Sequence, residues 1–325
     1  MKTRLLSVLA LTLASVTLLE PAAVQAGTVN SWTGANGNYY WQQDGNWSAG
    51  RAPSSSDGWI YVTNATSQLV VVHSYIPTST LTVSNLTLGA PSGVTNTLSI
   101  GYVVQGYPPF TLYDGPFVVR NELDVNPGGK LWISCTSTTR VDNVSGGIFL
   151  VDGIVQTDDG LLITTNTASS IDIGVGSNGV FIVNGGMWQA GYIRAGSSSA
   201  KTGTLTVNGG SVSASTLHIG PSGSTGTVCV AGGQLTVAAN NNVFVGYYGV
   251  GLLVVSNGTV SAGEIDVPGP GGPSTGTLLV TGGTLSTSSL NQGLNGVVSF
   301  PAGTVLSQET SIESPFAIGD GSQTA

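Results

Sequence analysis

Residues able to carry chemistry are sparse and unevenly placed in this chain of 325 residues. From Val175 to Gly263 there is no carboxylate, and Arg194 and Lys201 are the only fixed charges. Cleaving a glycosidic bond takes two carboxyl groups, one to give a proton and one to attack or to activate water. That stretch supplies neither. The one dense acidic region runs from Asp114 to Asp172 and holds Glu122, Asp124, Asp142, Asp152, Asp158 and Asp159, with Arg120, Lys130 and Arg140 among them. Within it, Asp158-Asp159-Gly160 fits two descriptions. Hard carboxylate oxygens there would suit a calcium ion, and Asp and Gly are equally what an ordinary solvated turn uses. His73 and His218 are far apart, and neither stands at a metal-ligand spacing. His218 lies between Leu217 and Ile219, so its side chain points outward. No Gly-x-Ser-x-Gly elbow presents a nucleophile. These residues call for no catalytic group, no cofactor and no metal beyond the candidate Asp158 and Asp159.

The other candidate chemistry is aromatic. The segment SWTGANGNYYWQQDGNWSAGRAPSSSDGWIYV gathers Trp32, Tyr39, Tyr40, Trp41, Trp47, Trp59 and Tyr61. Flat aromatic faces stack on sugar rings, while neighbouring Asn, Gln and Asp bond to hydroxyls. The same rings would also serve to plug the open end of a repeat domain. Trp47 and Trp59 flank the turn at Pro53 and are expected to be buried. Tyr39, Tyr40 and Trp41 sit in a Gly/Asn-rich loop and are expected to be freer, which makes them the carbohydrate-binding candidates.

The elements that must position these residues are set by a repeat. The pattern Gly, any residue, apolar, any residue, Val appears as GIFLV, GVFIV, GTLTV, GTVCV, GLLVV and GTLLV, closing at Val151, Val183, Val207, Val230, Val255 and Val280. The closing valines are 32, 24, 23, 25 and 25 residues apart. A turn follows each (DG, NGG, NGG, AGG, SNG, TGG), then a second short strand-like run, and in several copies a third that ends in Ile-Gly. A fixed period with internal alternation of two is a β-solenoid. The fold expected is all-β, a single-stranded right-handed parallel β-helix of about 24 residues per coil. Its core columns are expected to be Phe149, Phe181, Leu205, Val228, Leu253 and Leu278, and the six closing valines. Glycines supply positive φ at the corners. The outward column Leu150, Ile182, Thr206, Cys229, Val254, Leu279 is mostly apolar. Either strand propensity accounts for that, or a protein or polysaccharide partner covers Leu150, Ile182, Val254 and Leu279.

The division expected along the chain is a signal peptide over 1–26, a cap segment over 27–68 and the solenoid over 69–325. The solenoid reads as irregular coils over 69–145, regular coils over 146–290 and truncated coils at the C-terminal end, since AIGDGSQTA closes a coil without opening the next. The basic start, the apolar run from Leu5 to Leu19 and the small residues at Val24-Gln25-Ala26 imply export, with no membrane insertion once the leader is cut. The mature chain would keep six basic and fifteen acidic residues. Nucleic-acid binding rests on clustered cations, and six scattered ones exclude it. Cys135 and Cys229 lie about four coils, or ~19 Å, apart along the axis. A disulfide needs Cα atoms within about 7 Å, so both thiols are expected to be free.

The Trp-x-Gly opening, the DGNWSAGRAPSSSD segment and the recurring GxLxVxGG coils together resemble bacterial exported repeat proteins. These are the autotransporter-passenger-like β-helix proteins, which share their fold with the pectin-lyase-like superfamily. The resemblance implies an extracellular or cell-surface scaffold with a structural or adhesive role and no catalytic activity. The alternative is a polysaccharide-binding or polysaccharide-cleaving protein, because the same fold carries lyases and hydrolases.

Overall fold

The computed structural model describes residues 27–72, 80–101, 116–134, 138–141, 149–164, 170–270, 272–313 and 316–318. The proposed leader, His73, Cys135 and residues 319–325 lie outside the described residues.

The chain forms a parallel β-solenoid with two sheets. A narrow sheet of eleven strands takes one strand from each coil, beginning at Gln68–Val72 and ending at Phe316–Ile318. A wide sheet of fifteen strands wraps the rest of each coil. The second and third runs expected from the sequence join in several coils into one nine-residue strand, as in Met187–Ala195, Ser211–Ile219 and Thr259–Val267. In other coils they stay apart, as in Gln234–Val237 and Asn242–Val245.

Pairing between the regular coils is in register, whereas the N-terminal pairings shift between Thr28 and Val29 and between Val83 and Asn85. Gly179, Gly203, Gly226, Gly251, Gly276 and Gly296 stand one above another at the start of the narrow-sheet strands. Phe181, Leu205, Val228, Leu253 and Leu278 form one fully buried column, and Val183, Val207, Val230, Val255 and Val280 a second. Trp188 fills the space between the sheets, its ring stacked on Phe181 with centroids 4.1 Å apart and planes 6° from parallel.

The first copy of the pattern is displaced. Phe149–Val151 pairs with Leu123–Val125 and Ile171–Ile173 in the wide sheet. The narrow-sheet place expected for it belongs to Ile154–Thr157, with Val155 beside Phe181 and Thr157 beside Val183. Leu150 therefore does not continue the outward column of Ile182. Gln156 and Trp132 do.

The N-terminal end is capped. Thr28–Ser31 adds a strand to the edge of the wide sheet beside Asp57–Val62, which is itself a solenoid strand within the segment read as the cap. Tyr40 bridges Val71 at the edge of the narrow sheet, and Trp32 bridges Trp47 across the end. The loop between is pinned by charge and hydrogen bonds. The Arg51 guanidinium grips the buried Asp57 carboxylate through two N–H groups, at 2.9 and 2.6 Å, and Asp44 accepts the Ala52 N–H at 2.8 Å. Burial works against the Asp57 charge, but Arg51, the Ser54 N–H and the Thr28 hydroxyl outweigh it and hold this carboxyl below the usual range.

Candidate functional site

The third run of each coil lays its outward residues on one face of the wide sheet. Alternate residues of a strand point the same way, so two columns result. One column reads Tyr61, Thr87, Asp124, Leu150, Asp172, Arg194, His218, Phe244, Asp266, Asn291, Ser311. Beside it run Asn85, Glu122, then Ser170, Tyr192, Thr216, then Asn242, Glu264, Ser289, Glu309. At one strand spacing per coil the strip is about 48 Å long.

Aromatic rings occupy its middle. The His218 ring lies 4.6 Å from that of Tyr247, 5.1 Å from Phe244 and 6.3 Å from Tyr192. Tyr247 in turn meets Phe244 at 5.1 Å and Tyr248 at 4.8 Å. Tyr192 and Tyr248 are exposed, at 40% and 49%. Tyr248 lies on a turn in the left-handed region, φ 61°. The Pro268-Gly269-Pro270 segment backs onto the cluster, and any side chain at Gly269 would strike Phe244. At the N-terminal end of the same strip Trp59 and Tyr61 stack with planes 14° from parallel.

Polar groups flank the rings on both sides. Arg194 donates to Asp172 at 2.5 and 2.8 Å and to the Ser170 hydroxyl at 2.7 Å. On the other side Glu264 and Asp266 form a carboxyl pair held by the same two amides. The Asn242 amide donates to both, at 2.8 and 3.4 Å, and the Asn291 amide to both, at 2.6 and 2.9 Å. Burial, joined by the Glu264 charge, raises the Asp266 carboxyl against the pull of the two amides. An open cleft of about 220 Å³ begins there, lined by Asp266, Pro268, Pro270, Asn291, Ser311 and Glu313. Two coils before Asp172, Asp124 is raised to about 7 by burial first, then by Glu122 and Asp152.

Burial, helped by Arg194 on the preceding coil, lowers the His218 imidazole to about 4. It is therefore a neutral ring at neutral pH, faced by Arg194, Tyr192, Phe244 and Tyr247. The unfolded chain takes up a proton near the ordinary value of 6.5 and the folded chain does not. Stability linked to His218 is thus complete above that value and is lost as pH falls towards 4. The drop in melting temperature between pH 7 and pH 4.5 is expected to be smaller in His218→Gln than in the parent. Parallel curves would show that the imidazole is not held neutral.

The sequence-derived candidates fare differently. Trp41 is fully buried among Trp47 and Phe117, at 4.7 and 5.7 Å, so it has no face to offer a sugar. Hydrophobic burial and the Val71 backbone draw it into the end of the solenoid. Tyr39 and Tyr40 are half-buried with ring planes 61° apart, so they form no flat platform. Trp47 is buried as expected, whereas Trp59 lies half-exposed on the strip. Asp158 accepts from Trp132, Gln156 and Asn184 at 2.6, 2.7 and 2.7 Å. Burial opposes its charge, but these bonds and Lys130 hold it low. Asp159 accepts its own turn's Gly160 N–H at 2.7 Å. The pair anchors a turn with N–H donors where a calcium ion would need oxygens, and no cluster of three metal-ligating side chains occurs among the described residues. Ile182, Val254 and Leu279 share one half-buried outward column with Cys229, a free thiol.

Sequence reasoning missed Glu264, Asp266, Asn242, Asn291 and the rings around His218. Their signal is positional: all but Tyr247 and Tyr248, which follow Gly246, stand two or four residues before the glycine or proline that closes a coil. No family model, curated protein or solved structure matches this chain. The strip has to be read from its own chemistry.

Proposed function

We propose that this is an exported, non-catalytic β-solenoid, a surface or matrix scaffold that holds an extended polysaccharide along the strip from Trp59 to Ser311. The aromatic cluster at its centre carries this reading. Tyr192 and Tyr248 expose ring faces on a rigid surface, with hydroxyl, amide and carboxyl groups on either side. That is what a sugar chain requires: flat apolar faces for its rings and fixed polar partners for its hydroxyls. Successive coils set such groups side by side along an axis, which suits a polymer better than a small ligand.

A cleaving function is less well supported. Glycosidase carboxyl groups stand about 5–9.5 Å apart, so that a sugar carbon or a water fits between them. Glu264 and Asp266 are instead bridged by the Asn242 and Asn291 amides, each of which donates to both acids. Arg194, the cation on the same face, is taken up by Asp172 and Ser170.

Native gels cast with soluble polysaccharides test the proposal. The parent is expected to be retarded by at least one polymer. Tyr192→Ser together with Tyr248→Asn should weaken that retardation about tenfold, from roughly 0.5–1.5 kcal/mol per ring, without altering the melting temperature. Asn suits the left-handed turn at position 248. Tyr40→Ala should bind like the parent. Unchanged mobility of the parent in every gel would overturn the reading.

A further inference from the structure

We infer that the polymer held by the strip carries amines, a chain of the glucosamine type with free amino groups, rather than a neutral glycan or a polyuronate. This rests on the polysaccharide reading above and adds the chemical class of the ligand. The starting observation is the aromatic cluster. Phe244 and Asp266 are directly opposed on successive coils, so the rings and the carboxyl pair form one continuous surface opening into the cleft. Aromatic faces beside carboxylates are what an ammonium group prefers. The ring quadrupoles attract the cation, and the carboxylates accept its N–H groups in charge-assisted bonds.

Charge along the strip points the same way. Among the described residues of the two columns Arg194 is the only cation, and Asp172 neutralises it. Glu122, Asp124, Glu264, Asp266 and Glu309 have no cation opposite them in those columns. A polyuronate laid along this face would meet like charge at both ends. A neutral glycan would strip water from the carboxylates and return only ordinary hydrogen bonds. An ammonium returns both charge and donors.

The carboxylates are also fixed before a ligand arrives. Asn242 lies on the preceding coil and Asn291 on the following one, and each amide donates to both acids. Those bonds select the rotamers of Glu264 and Asp266 at no further cost on binding.

The test uses the whole exported chain with three probes at pH 6 and 150 mM salt: a glucosamine oligomer, its N-acetylated counterpart and a polyuronate. Binding is read by calorimetry. The glucosamine oligomer is expected to bind at least tenfold more tightly than the acetylated one. Glu264→Gln with Asp266→Asn, which keep shape and one accepting oxygen at each position, should remove that preference while leaving the acetylated oligomer and the melting temperature unaffected. Equal binding of the two oligomers would overturn the amine assignment and leave the polysaccharide reading standing. Binding of neither, nor of the uronate, would overturn both. Preference for the amine that survives the double variant would mean diffuse attraction to an acidic protein, and the site would be wrong. Uronate binding that requires added calcium would make the carboxyl pair a cation site, which also overturns the proposal.

Discussion

Replacing Gly203 by Ala should destabilise the solenoid more than almost any other single methyl group. An added Cβ would stand 2.1 Å from the Ile173 carbonyl oxygen and 2.0 Å from the Gly196 nitrogen. Both obstacles are backbone, one of them in the preceding coil, so no side chain can turn aside. The coils would have to separate at the start of a narrow-sheet strand, where the backbones approach closely. Overpacking of this kind falls at about 3–5 kcal/mol, the upper end for single substitutions, or roughly a 10 °C loss in melting temperature. Gly223→Ala is the control. Its φ of +74° disfavours a side chain, but the nearest atom to the new Cβ is the Ser199 hydroxyl at 3.3 Å, and about 1 kcal/mol is expected. Thermal melts and urea titrations of the two variants decide the point. Equal losses would mean that backbone conformation, and not the approach of neighbouring coils, is what the strand-leading glycine serves.

That pair of glycines also shows what the sequence does and does not disclose. Corner glycines are legible as such, and Gly174, Gly196, Gly220 and Gly246 do take positive φ, at 82°, 77°, 69° and 79°. Gly203 leads a strand and is required for a reason with no local signature, the carbonyl of another coil. Core columns are equally legible from Phe181 onward, because an inward position is apolar at every second residue and the period is regular. The misplacement of Phe149–Val151 marks where that logic fails. GIFLV matches the motif by composition, while the register is set by Val155 and Thr157, which lack the leading Gly-x pattern. The spacing of 32 before Val183, longer than any other, is the trace of that misplacement.

The proposed binding strip is harder to see because outward positions follow no hydrophobic pattern. Glu264 meets Asn242 22 residues earlier and Asn291 27 residues later, and only the register brings them together. Counting carboxylates along the chain stops at Gly263 and passes over a pair one residue further on. Alignment on the third run instead gives ELDV and EIDV at equivalent places, and HIG, FVG and IDIG between them. Those outward letters spell the strip. The apolar first-strand column and the aromatic loop drew attention because their composition is unusual, yet composition does not tell which way a ring points.

Trp41 is where that distinction has the largest measurable consequence. Its indole is wholly buried against Trp47 and Phe117, its carbonyl accepts the Trp47 indole N–H at 2.7 Å, and its own N–H bonds Val71 at 2.9 Å. Trp41→Ala removes the keystone of the cap and should cost about 3–5 kcal/mol. Trp41→Phe should cost a fraction of that, since the Trp41 indole nitrogen has no partner to lose. The alanine variant should also aggregate, because the Val71 edge of the narrow sheet would be left open to another chain. Urea unfolding and light scattering read both effects, and hydrogen exchange at Val71 locates them. If Trp41 touched sugar instead, Trp41→Ala would keep parental stability and lose retardation in the gel. Burial predicts the opposite: a cap that fails while the ring cluster at Tyr192 and Tyr248, several coils from Trp41 along the column, keeps its fold and the binding proposed for it.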